Sequence, residues 1–353
     1  MSFIVIEHGS TIVVNVGIVG FGFMGKTHFG AYQADPRATV TGLMSINRES
    51  FRDDSAGNIA GQGQLGDYSS AQIHETLEDL LANNDIDAVS ICTPTHLHAK
   101  LALQALSQGK HVLLEKPLCR SWQEAQAFLQ ELQSYPDLVC MPAMCMRFWP
   151  GWTWLKEQVD QETYGQVLSA TFTRLGSAPL WGDGFYQDAN RCGGAILDLH
   201  VHDVDFIRYC FGEPQSVHAY GRVGTSGGVD HVVARFGYEH EALITAEGGW
   251  LPSSKFPFQM GYRVAFEKGI AEYQLGREQP LIFIKSDGDQ QPIELSDQTG
   301  YEAEVAHFLD CVESRKNSTV VTAEDGAESL RLIDAELNSI KTGRSTTFTG
   351  AVS

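Results

Sequence analysis

The chain of 353 residues carries 44 acidic and 25 basic side chains, which give a formal net charge of -19. So acidic a protein is a poor partner for nucleic acid or for an anionic membrane surface. The length and a hydrophobic content of 43% suffice for about two domains with ordinary cores. No apolar stretch reaches the roughly 18 residues that a membrane span needs, and no basic segment precedes the N-terminal apolar residues. We therefore expect neither a transmembrane helix nor a signal peptide.

The seven cysteines are scattered along the chain and form no C-x-x-C pair. This usage is typical of a reducing cytoplasm and predicts neither a disulfide framework nor a zinc ribbon. We expect a cytoplasmic protein without a metal site.

The first third of the chain alternates strand and helix signals. Apolar runs predict strands at residues 12–19, 39–44, 87–92, 111–114 and 138–144. One-sided apolar patterns predict helices after residue 25 and at residues 73–81, 97–106 and 121–132. This alternation is typical of an α/β fold with a doubly wound parallel sheet and crossover helices.

The pattern changes near residue 146. Period-two alternation predicts strands at residues 167–174, 231–236, 242–247, 262–266 and 281–284. These segments indicate a large, mostly antiparallel sheet that is covered on one face. Helices are predicted at residues 301–312 and 327–340. We therefore divide the chain into an α/β domain of residues 1–144 and an α+β domain of residues 145–353.

The first predicted strand ends in a G-x-G-x-x-G turn. Its first glycine permits a tight turn, its second lets backbone reach a pyrophosphate, and its third allows close helix–strand contact. The following helix offers unpaired N–H groups and a positive dipole end to the phosphates. A glycine-rich turn of another α/β protein is the alternative, but the strand before it and the βαβ context favour a Rossmann dinucleotide-binding domain. The residues expected at the cofactor are Gly20, Gly22, Phe23, Met24 and Gly25.

The end of the second strand bears on the choice of cofactor. An acidic residue there accepts from the ribose 2′-OH of NAD, whereas a small or basic neighbourhood accommodates the 2′-phosphate of NADP. The chain has Ser45, Asn47 and Arg48 at this point, and Arg48 could pair with a phosphate. This favours NADP, or at least tolerance of it, over NAD. A solvent-facing Arg48 without a ligand is the alternative.

Lys116 stands at the carboxyl end of a predicted parallel strand, where ligands bind in doubly wound folds. Next to Glu115 and apolar walls, a lysine can have a lowered pKa and exchange protons. The bond to Pro117 is also a candidate cis peptide. The alternative is that Glu-Lys-Pro forms an ordinary solvated turn.

A third feature is a polar stripe on a predicted helix after Gly193. In a continuous α-helix Asp198, His202, Asp205 and Tyr209 lie on one line between two apolar rows, so the line should face a cleft. The pKa of a histidine suits proton transfer, and Asp198 one turn away can orient the ring of His202.

Two other interpretations of this stripe are open. The stripe could be an ordinary exposed helix face. The grouping of His200, His202 and Asp203 could instead bind a metal, although in a helix the two histidines point about 200° apart, which weakens that interpretation.

Together these elements resemble the Gfo/Idh/MocA oxidoreductases, the relatives of glucose–fructose oxidoreductase and inositol dehydrogenase. The matching pieces span nearly the whole chain: residues 16–25, 93–98, 109–117 and 193–194, Asp198, His202, Tyr301, Glu304, Phe308 and residues 322–326. What precedes Val13 looks like an N-terminal extension.

The resemblance also implies how Lys116 and His202 would act together. Lys116 and His202 would surround a substrate carbinol, with His202 taking the hydroxyl proton as hydride leaves for the nicotinamide. Asp198 would tune that histidine, and Lys116 would also bind the nicotinamide ribose. The large open sheet would serve as an oligomer interface, in a homodimer or homotetramer.

The resemblance also implies a cofactor lining of Thr93, Pro94, His98, Glu115 and Lys116. Two features depart from many members of the family. The acidic ribose-binding residue is missing at Ser45, which puts NAD preference in doubt, and the extra His200 either touches a substrate or packs.

The leading hypothesis is an NAD(P)-dependent dehydrogenase or reductase of a sugar, cyclitol or related polyol. Trp181, Tyr186 and Asn190 could stack on or hydrogen-bond such a substrate, or could only pack in a loop. One alternative is a glycosidase-like enzyme that recycles its NAD(P). The other is a cofactor-sensing regulator without turnover, although such regulators tend to lose the catalytic lysine or histidine.

Overall fold

The computed structural model describes residues 13–52, 57, 62–182 and 184–348. The predicted N-terminal extension before Val13 lies outside these residues. The elements of the first part are strands β1 (Val14–Val19), β2 (Ala38–Met44), β3 (Gln72–His74), β4 (Ala88–Ile91), β5 (His111–Glu115) and β6 (Cys140–Ala143), with helices α1 (Phe23–Ala34), α2 (Leu77–Leu81), α3 (His98–Ser107) and α4 (Trp122–Leu132).

The remaining elements follow after residue 144. The strands are β7 (Val167–Ser177), β8 (Ser216–Val223), β9 (Val229–Gly237), β10 (Leu243–Leu251), β11 (Gln259–Phe266), β12 (Gly269–Gln274), β13 (Leu281–Lys285), β14 (Gln290–Pro292) and β15 (Thr346–Thr347). The helices are α5 (Pro150–Asp160), α6 (Ala189–Cys192), α7 (Val201–Phe211), α8 (Gly300–Ser314) and α9 (Ala323–Thr342).

The first six strands form one parallel sheet in the order β3-β2-β1-β4-β5-β6. The order reverses between β1 and β4, which is the switch point where ligands bind in doubly wound sheets. The strands are apolar runs because helices cover both faces; every residue of β4 is buried. The predicted α/β domain with a Rossmann sheet is confirmed.

The second sheet has nine strands in the order β14-β13-β12-β11-β7-β10-β9-β8-β15. Apart from the parallel pair of β7 and β10, its pairs are antiparallel. Helices α7 and α9 contact one face, whereas the other exposes Val233 and Leu243 by 44% and 55%. The predicted large, mostly antiparallel open sheet is confirmed.

Two predictions of individual elements were wrong. The helix predicted at residues 73–81 is two elements, the edge strand β3 and the helix α2. A strand of three residues is too short to show a period, so its signal merged with that of the helix. Strands β8, β12, β14 and β15 and helix α5 were missed; the last four residues of β8 are all exposed and show no alternation. The division at residue 144 stays a prediction.

The helix α8 crosses from the second part of the chain to the first sheet. Its Val305 and Phe308 belong to the same apolar core as Val14 and Val16 of β1. Arg37, just after α1, pairs with Asp310 of this helix. The C-terminal part of the chain therefore completes the core of the parallel sheet and brings the start of α8 next to the cleft at the switch point.

Candidate active site

A cleft of about 560 Å³ lies at the carboxyl ends of β1, β4 and β5. The three glycines of the first motif shape one side of it. Gly20 has φ +91° and a Cβ there would lie 2.4 Å from the carbonyl oxygen of Cys92, while a Cβ on Gly25 would lie 2.0 Å from the carbonyl oxygen of Gly20. A Cβ on Gly22 would meet nothing within 4 Å. The first and third glycines are thus required by close contacts, and the second borders open space.

The N-terminus of α1 faces this cleft. Gly22 is its N-cap residue, no side chain caps its first N–H groups, and its first turn carries no acidic residue. Phe23 and Met24 also line the cleft. Unpaired N–H groups, a positive dipole end and an open position at Gly22 fit the pyrophosphate of a dinucleotide.

The end of β2 forms the far wall of the cleft. Ser45 is buried and donates from Oγ to the carbonyl oxygen of Asn47 at 3.1 Å. Asn47 lines the cleft and accepts the N–H of Glu49 at 3.0 Å, while Arg48 pairs outside with the exposed Glu75 at 2.7 Å. Sequence reasoning missed Glu49, whose position also lines the cleft. The sequence did offer a signal for it, because Glu49 is an acidic residue directly after Arg48.

The loops after β4 and β5 form the floor. Thr93 and Pro94 line the cleft, as the resemblance implies. His98 does not appear in that lining; it is buried, with its ring nitrogens each 2.8 Å from a carbonyl oxygen, of Pro117 and Thr93 respectively. Burial lowers the pKa of His98. Its observed contacts tie the two loops together.

Glu115 lies at the same floor and is buried. One carboxylate oxygen lies 3.0 Å from Nε2 of the fully buried His28, and the other accepts the N–H of Lys116 at 3.0 Å. The Lys116–Pro117 peptide is cis, as predicted. Behind this floor, Glu304 of α8 has both carboxylate oxygens buried without a partner among the described residues. Burial and the nearby charge of Glu115 raise the pKa of Glu304 well above its ordinary value.

A smaller chamber of about 90 Å³ adjoins the cleft. The two spaces share Phe23, Met24, Glu115, Lys116, Trp181, Tyr186 and Asp198 as lining residues. Lys116 donates from Nζ to the backbone oxygen of Asp198 at 2.6 Å and lies 3.3 Å from its Oδ1. His202 lines the chamber as well. The structure therefore brings the three residues predicted to be catalytic to one place.

His202 is half-buried on α7 and lines the wall of the chamber. Burial, with the positive charges of Lys116 and Arg174, holds the pKa of His202 well below its ordinary value. Its Nδ1 is buried and has no hydrogen-bond partner among the described residues. The ring is therefore neutral near pH 7 and able to accept a proton.

The predicted orienting contact between Asp198 and His202 is not observed. The sequence was interpreted as one α-helix, but residues Ile196–His200 form a π-helical turn before α7. A π-turn contains more residues than an α-turn, so positions four apart no longer lie directly above each other. Asp198 instead pairs with Lys116.

The rest of the predicted stripe does not face the cleft. Asp205 is buried and forms a two-point pair with Arg147, at 2.8 Å from Nε and 2.7 Å from Nη2. The ring of Tyr209 lies 4.6 Å from the same guanidinium. His200 is also buried, with Nε2 3.2 Å from a carboxylate oxygen of Glu336 in α9. Burial opposes a charge on His200, but Glu336 raises its pKa overall. Of its two predicted roles, the structure shows packing.

The three candidate substrate residues differ in placement. Trp181 and Tyr186 line both spaces, with their rings 6.1 Å apart. Burial and the charge of Asp198 raise the pKa of Tyr186. Asn190 lies in the short helix α6, where its side chain contacts Asp188 at 3.1 Å, and it lines neither space. Their roles toward a substrate stay predictions.

Sequence reasoning missed several chamber residues. They come from separate segments: Trp149, Arg174, Phe258, Met260 and Tyr301. For Arg174 there was a signal, since it continues the inward row of Ala170 and Phe172 on β7, and a cation in an apolar row needs an explanation.

The described residues form neither a cluster of metal ligands nor a membrane-spanning helix. No three His, Cys, Asp or Glu side chains there are grouped as a metal site requires. None of the helices in the described ranges is both long and apolar enough to span a bilayer.

Similar proteins support the assignment of the fold and the family. Residues 14–142 match a family described as an oxidoreductase family with an NAD-binding Rossmann fold. Residues 152–272 match the GFO/IDH/MocA C-terminal domain. The two matches cover more than half of the chain.

Two of the similar proteins are dehydrogenases of a sugar derivative and of a cyclitol. The levoglucosan dehydrogenase of Pseudarthrobacter phenanthrenivorans is 30% identical over 220 residues, which are 58% of this chain and 53% of that protein. The match thus spans about half of that relative. The scyllo-inositol 2-dehydrogenase (NAD(+)) of Bacillus subtilis is 28% identical over 282 residues, which are 76% of this chain and 79% of that protein.

Among solved structures, a levoglucosan dehydrogenase in complex with NADH and levoglucosan superposes with a TM-score of 0.80. The superposition covers 96% of this chain and all of that one, at 20% sequence identity, and so shows a shared fold. With a six-stranded Rossmann sheet, the nine-stranded sheet and both family matches, the chain belongs to the GFO/IDH/MocA family of oxidoreductases.

Proposed function

We propose that the protein is an NAD(P)-dependent dehydrogenase that acts on a hydroxyl group of a sugar, cyclitol or related polyol. One observation carries the proposal: the chamber that holds Lys116, Asp198 and His202 opens onto the glycine-lined cleft and shares its wall. The named relatives, a levoglucosan dehydrogenase and a scyllo-inositol dehydrogenase, support the substrate class. When bound in the cleft, NAD(P)⁺ supplies the acceptor for a hydride.

In this proposal His202 is the general base. Its depressed pKa keeps the ring neutral, so that it can take the proton of the substrate hydroxyl. Because Nδ1 is buried, Nε2 is the nitrogen left for the substrate. A chamber with aromatic walls excludes water while the proton moves.

Lys116 is the electrostatic partner of that base. Its ammonium group is fixed by two contacts to Asp198 and lies on the wall of the chamber. A third N–H of the ammonium group is left for the substrate oxygen, and its charge stabilises the negative charge that develops there. Asp198 is thus a positioning residue for Lys116, the side chain with which it pairs.

The cofactor preference remains a choice between two dinucleotides, and we favour NADP. The absence of a carboxylate at Ser45 supports this choice, as does Arg48 nearby. To reach a 2′-phosphate, Arg48 would give up its ion pair with Glu75. This costs little free energy because the pair is exposed. Glu49 on the cleft wall is the feature that favours NAD.

We also propose a homodimer or homotetramer through the bare face of the second sheet. Apolar side chains such as Val233 and Leu243 are exposed on this sheet beside polar ones. Apolar side chains exposed on the uncovered face of a sheet support an interface between protein chains there.

The experiment that tests the function is a change in nicotinamide absorbance with purified protein. The panel contains levoglucosan, scyllo-inositol, myo-inositol, aldoses and linear polyols, each with NAD⁺ and NADP⁺. We expect turnover with at least one cyclic polyol. Binding of NADH and NADPH, measured by fluorescence, is the control for a folded cleft.

Other outcomes lead to the other hypotheses. Cofactor binding without turnover on any polyol would contradict a dehydrogenase. Glycoside cleavage without net reduction of the cofactor would then identify the glycosidase-like enzyme. Cofactor-dependent capture of a partner protein, with neither activity, would identify the regulator.

A further inference from the structure

Arg174 occupies a central position in the second sheet. It lies on β7, between Gly248 of the parallel neighbour β10 and Met260 of the antiparallel neighbour β11. Its side chain extends from the covered face of the sheet to the wall of the chamber. The residue is only 3% exposed, so its guanidinium is taken out of bulk water.

Asp203 of α7 fixes the orientation of this guanidinium. Nε of Arg174 donates to one carboxylate oxygen at 3.0 Å and Nη2 donates to the other at 2.9 Å. Such a two-point pair fixes the plane of the group. Nη1 takes no part in the pair. This third nitrogen is available to donate to a molecule in the chamber.

The charges around the chamber compensate each other. Lys116 pairs with Asp198, and Arg174 pairs with the fully buried Asp203. The remaining ionisable carboxyl group in the lining is Glu115. A substrate carboxylate would find no uncompensated cation there, and its desolvation would be costly. An uncharged oxygen can accept from Nη1 without that cost.

We propose that Arg174 binds the substrate directly, donating from Nη1 to an uncharged oxygen, and thereby selects neutral polyols over sugar acids. The acceptor is a hydroxyl or ring oxygen other than the one from which His202 takes the proton. This inference rests on the proposed dehydrogenase function and adds to it a residue and a substrate class. Asp203 acts through Arg174, as a positioning residue.

The first arm of the test uses the wild-type protein alone. Glucose is compared with glucuronate, and the most active polyol of the panel is compared with its monodeoxy analogues. We expect at least a tenfold lower kcat/KM for the acid than for its neutral counterpart. Removing the hydroxyl that Arg174 binds should cost about 10–100-fold, the range for a hydrogen bond to a charged group.

The second arm adds Arg174→Lys and the double variant Arg174→Gln/Asp203→Asn. Lysine keeps the charge beside Asp203, and the double variant leaves no unpaired buried charge, so both are designed to fold. NADH binding and thermal unfolding check this. Each variant should lose about 10–100-fold in kcat/KM, mainly through KM, and should become insensitive to loss of the one hydroxyl.

The pattern across analogues decides the outcome. One monodeoxy analogue should lower kcat/KM of the wild type about 10–100-fold but that of the variants by less than about twofold. The hydroxyl missing from that analogue is then the partner of Arg174, because a double-mutant cycle requires this loss of coupling. Equal losses for all analogues in wild type and variants would overturn the inference, and so would a preference for glucuronate. Wild-type protein that binds NADH and turns over no polyol contradicts the dehydrogenase function itself, before any variant is made.

Discussion

The cofactor cleft and the adjoining chamber are built in opposite ways. The cleft is made of backbone: a positive φ at Gly20, a close approach at Gly25 and the N-terminus of α1 lie within one short stretch of chain. The chamber is made of side chains that come from widely separated segments, and its charged groups are held in pairs. Steric changes should therefore damage the cleft, whereas isosteric changes of charge should damage the chamber.

The largest effect is expected in the chamber. Lys116→Ala and His202→Ala should each lower turnover by about 10²–10⁴-fold, the usual contribution of a general acid–base group. Cofactor binding should stay within about threefold of wild type, because neither change alters the glycine turn. Initial rates with the active polyol and NADH fluorescence titrations measure the two quantities. Lys100→Ala, an exposed lysine on α3, is the matched control.

Two results would contradict the roles assigned to His202 and Lys116. If His202→Ala kept full turnover, the base would have to lie elsewhere in the chamber. If Lys116→Ala lost cofactor binding and turnover in proportion, Lys116 would act through the cofactor and not on the substrate oxygen.

The second effect is steric and separates two glycines of one motif. Gly25→Ala should cost about 3 kcal/mol of folding free energy or more, because the new Cβ would lie 2.0 Å from a carbonyl oxygen that cannot move freely. Gly22→Ala has an allowed φ of -80° and free space around it, so its stability should stay within about 0.5 kcal/mol. The same Cβ enters the cleft and should weaken cofactor binding about tenfold.

Urea unfolding and fluorescence titration of both variants check this pair. Equal losses of stability in the two would show that the glycines are not divided between a packing role and a ligand role.

The third effect concerns the far wall of the cleft. Arg48→Ala should raise KM for NADP⁺ about tenfold and change KM for NAD⁺ by less than about twofold, because only the 2′-phosphate needs the guanidinium. Glu75→Ala, which removes the present partner of Arg48, is the matched control and should leave NADP⁺ binding intact or stronger. An unchanged KM for NADP⁺ in Arg48→Ala would indicate that Asn47 and Glu49, and not Arg48, bind the adenosine ribose.

The smallest expected effect is in the pH profile. A histidine with an unperturbed pKa near 6.5 would lose its proton between pH 6 and pH 7, with a rise in activity. Burial and two nearby cations put the pKa of His202 well below that value, so the base stays neutral as the pH falls through 6.5. Initial rates of oxidation, as kcat/KM, should therefore change by less than about twofold between pH 6.0 and 8, whereas an unperturbed pKa near 6.5 would give a change of about fourfold. Activity should fall only at lower pH, and a midpoint near 6.5 would contradict the buried, neutral ring.

The same contrast explains what the sequence could predict. The glycine motif and the apolar strands are local patterns, so the parallel sheet, the cleft and the position of Lys116 followed from short stretches of chain. The pairing of Asp198 with Lys116 depends on a π-helical turn, and no periodicity of the sequence distinguishes that turn from an α-helix.

Residues of the second sheet show the other limit. Arg174 lies at the chamber because β7 is the middle strand of the nine-stranded sheet and because its guanidinium pairs with Asp203 of α7. Both facts depend on which elements are neighbours in the fold. The alternation of apolar and polar residues along one strand does not reveal this. Asn190 shows the reverse case: its residue type suits a sugar, but in the short helix α6 its side chain contacts Asp188.

The helix α8 has a consequence for the order in which the protein is made. Its apolar face closes the core of the parallel sheet, although the entire nine-stranded sheet except its last short strand lies between β6 and α8 in the chain. A ribosome that has synthesised all six parallel strands has therefore not yet made part of the cover of that sheet. The nascent chain holds an uncovered apolar surface until α8 emerges, a state in which chaperone binding competes with aggregation. The first half of this chain becomes a finished domain only when the second half is nearly complete.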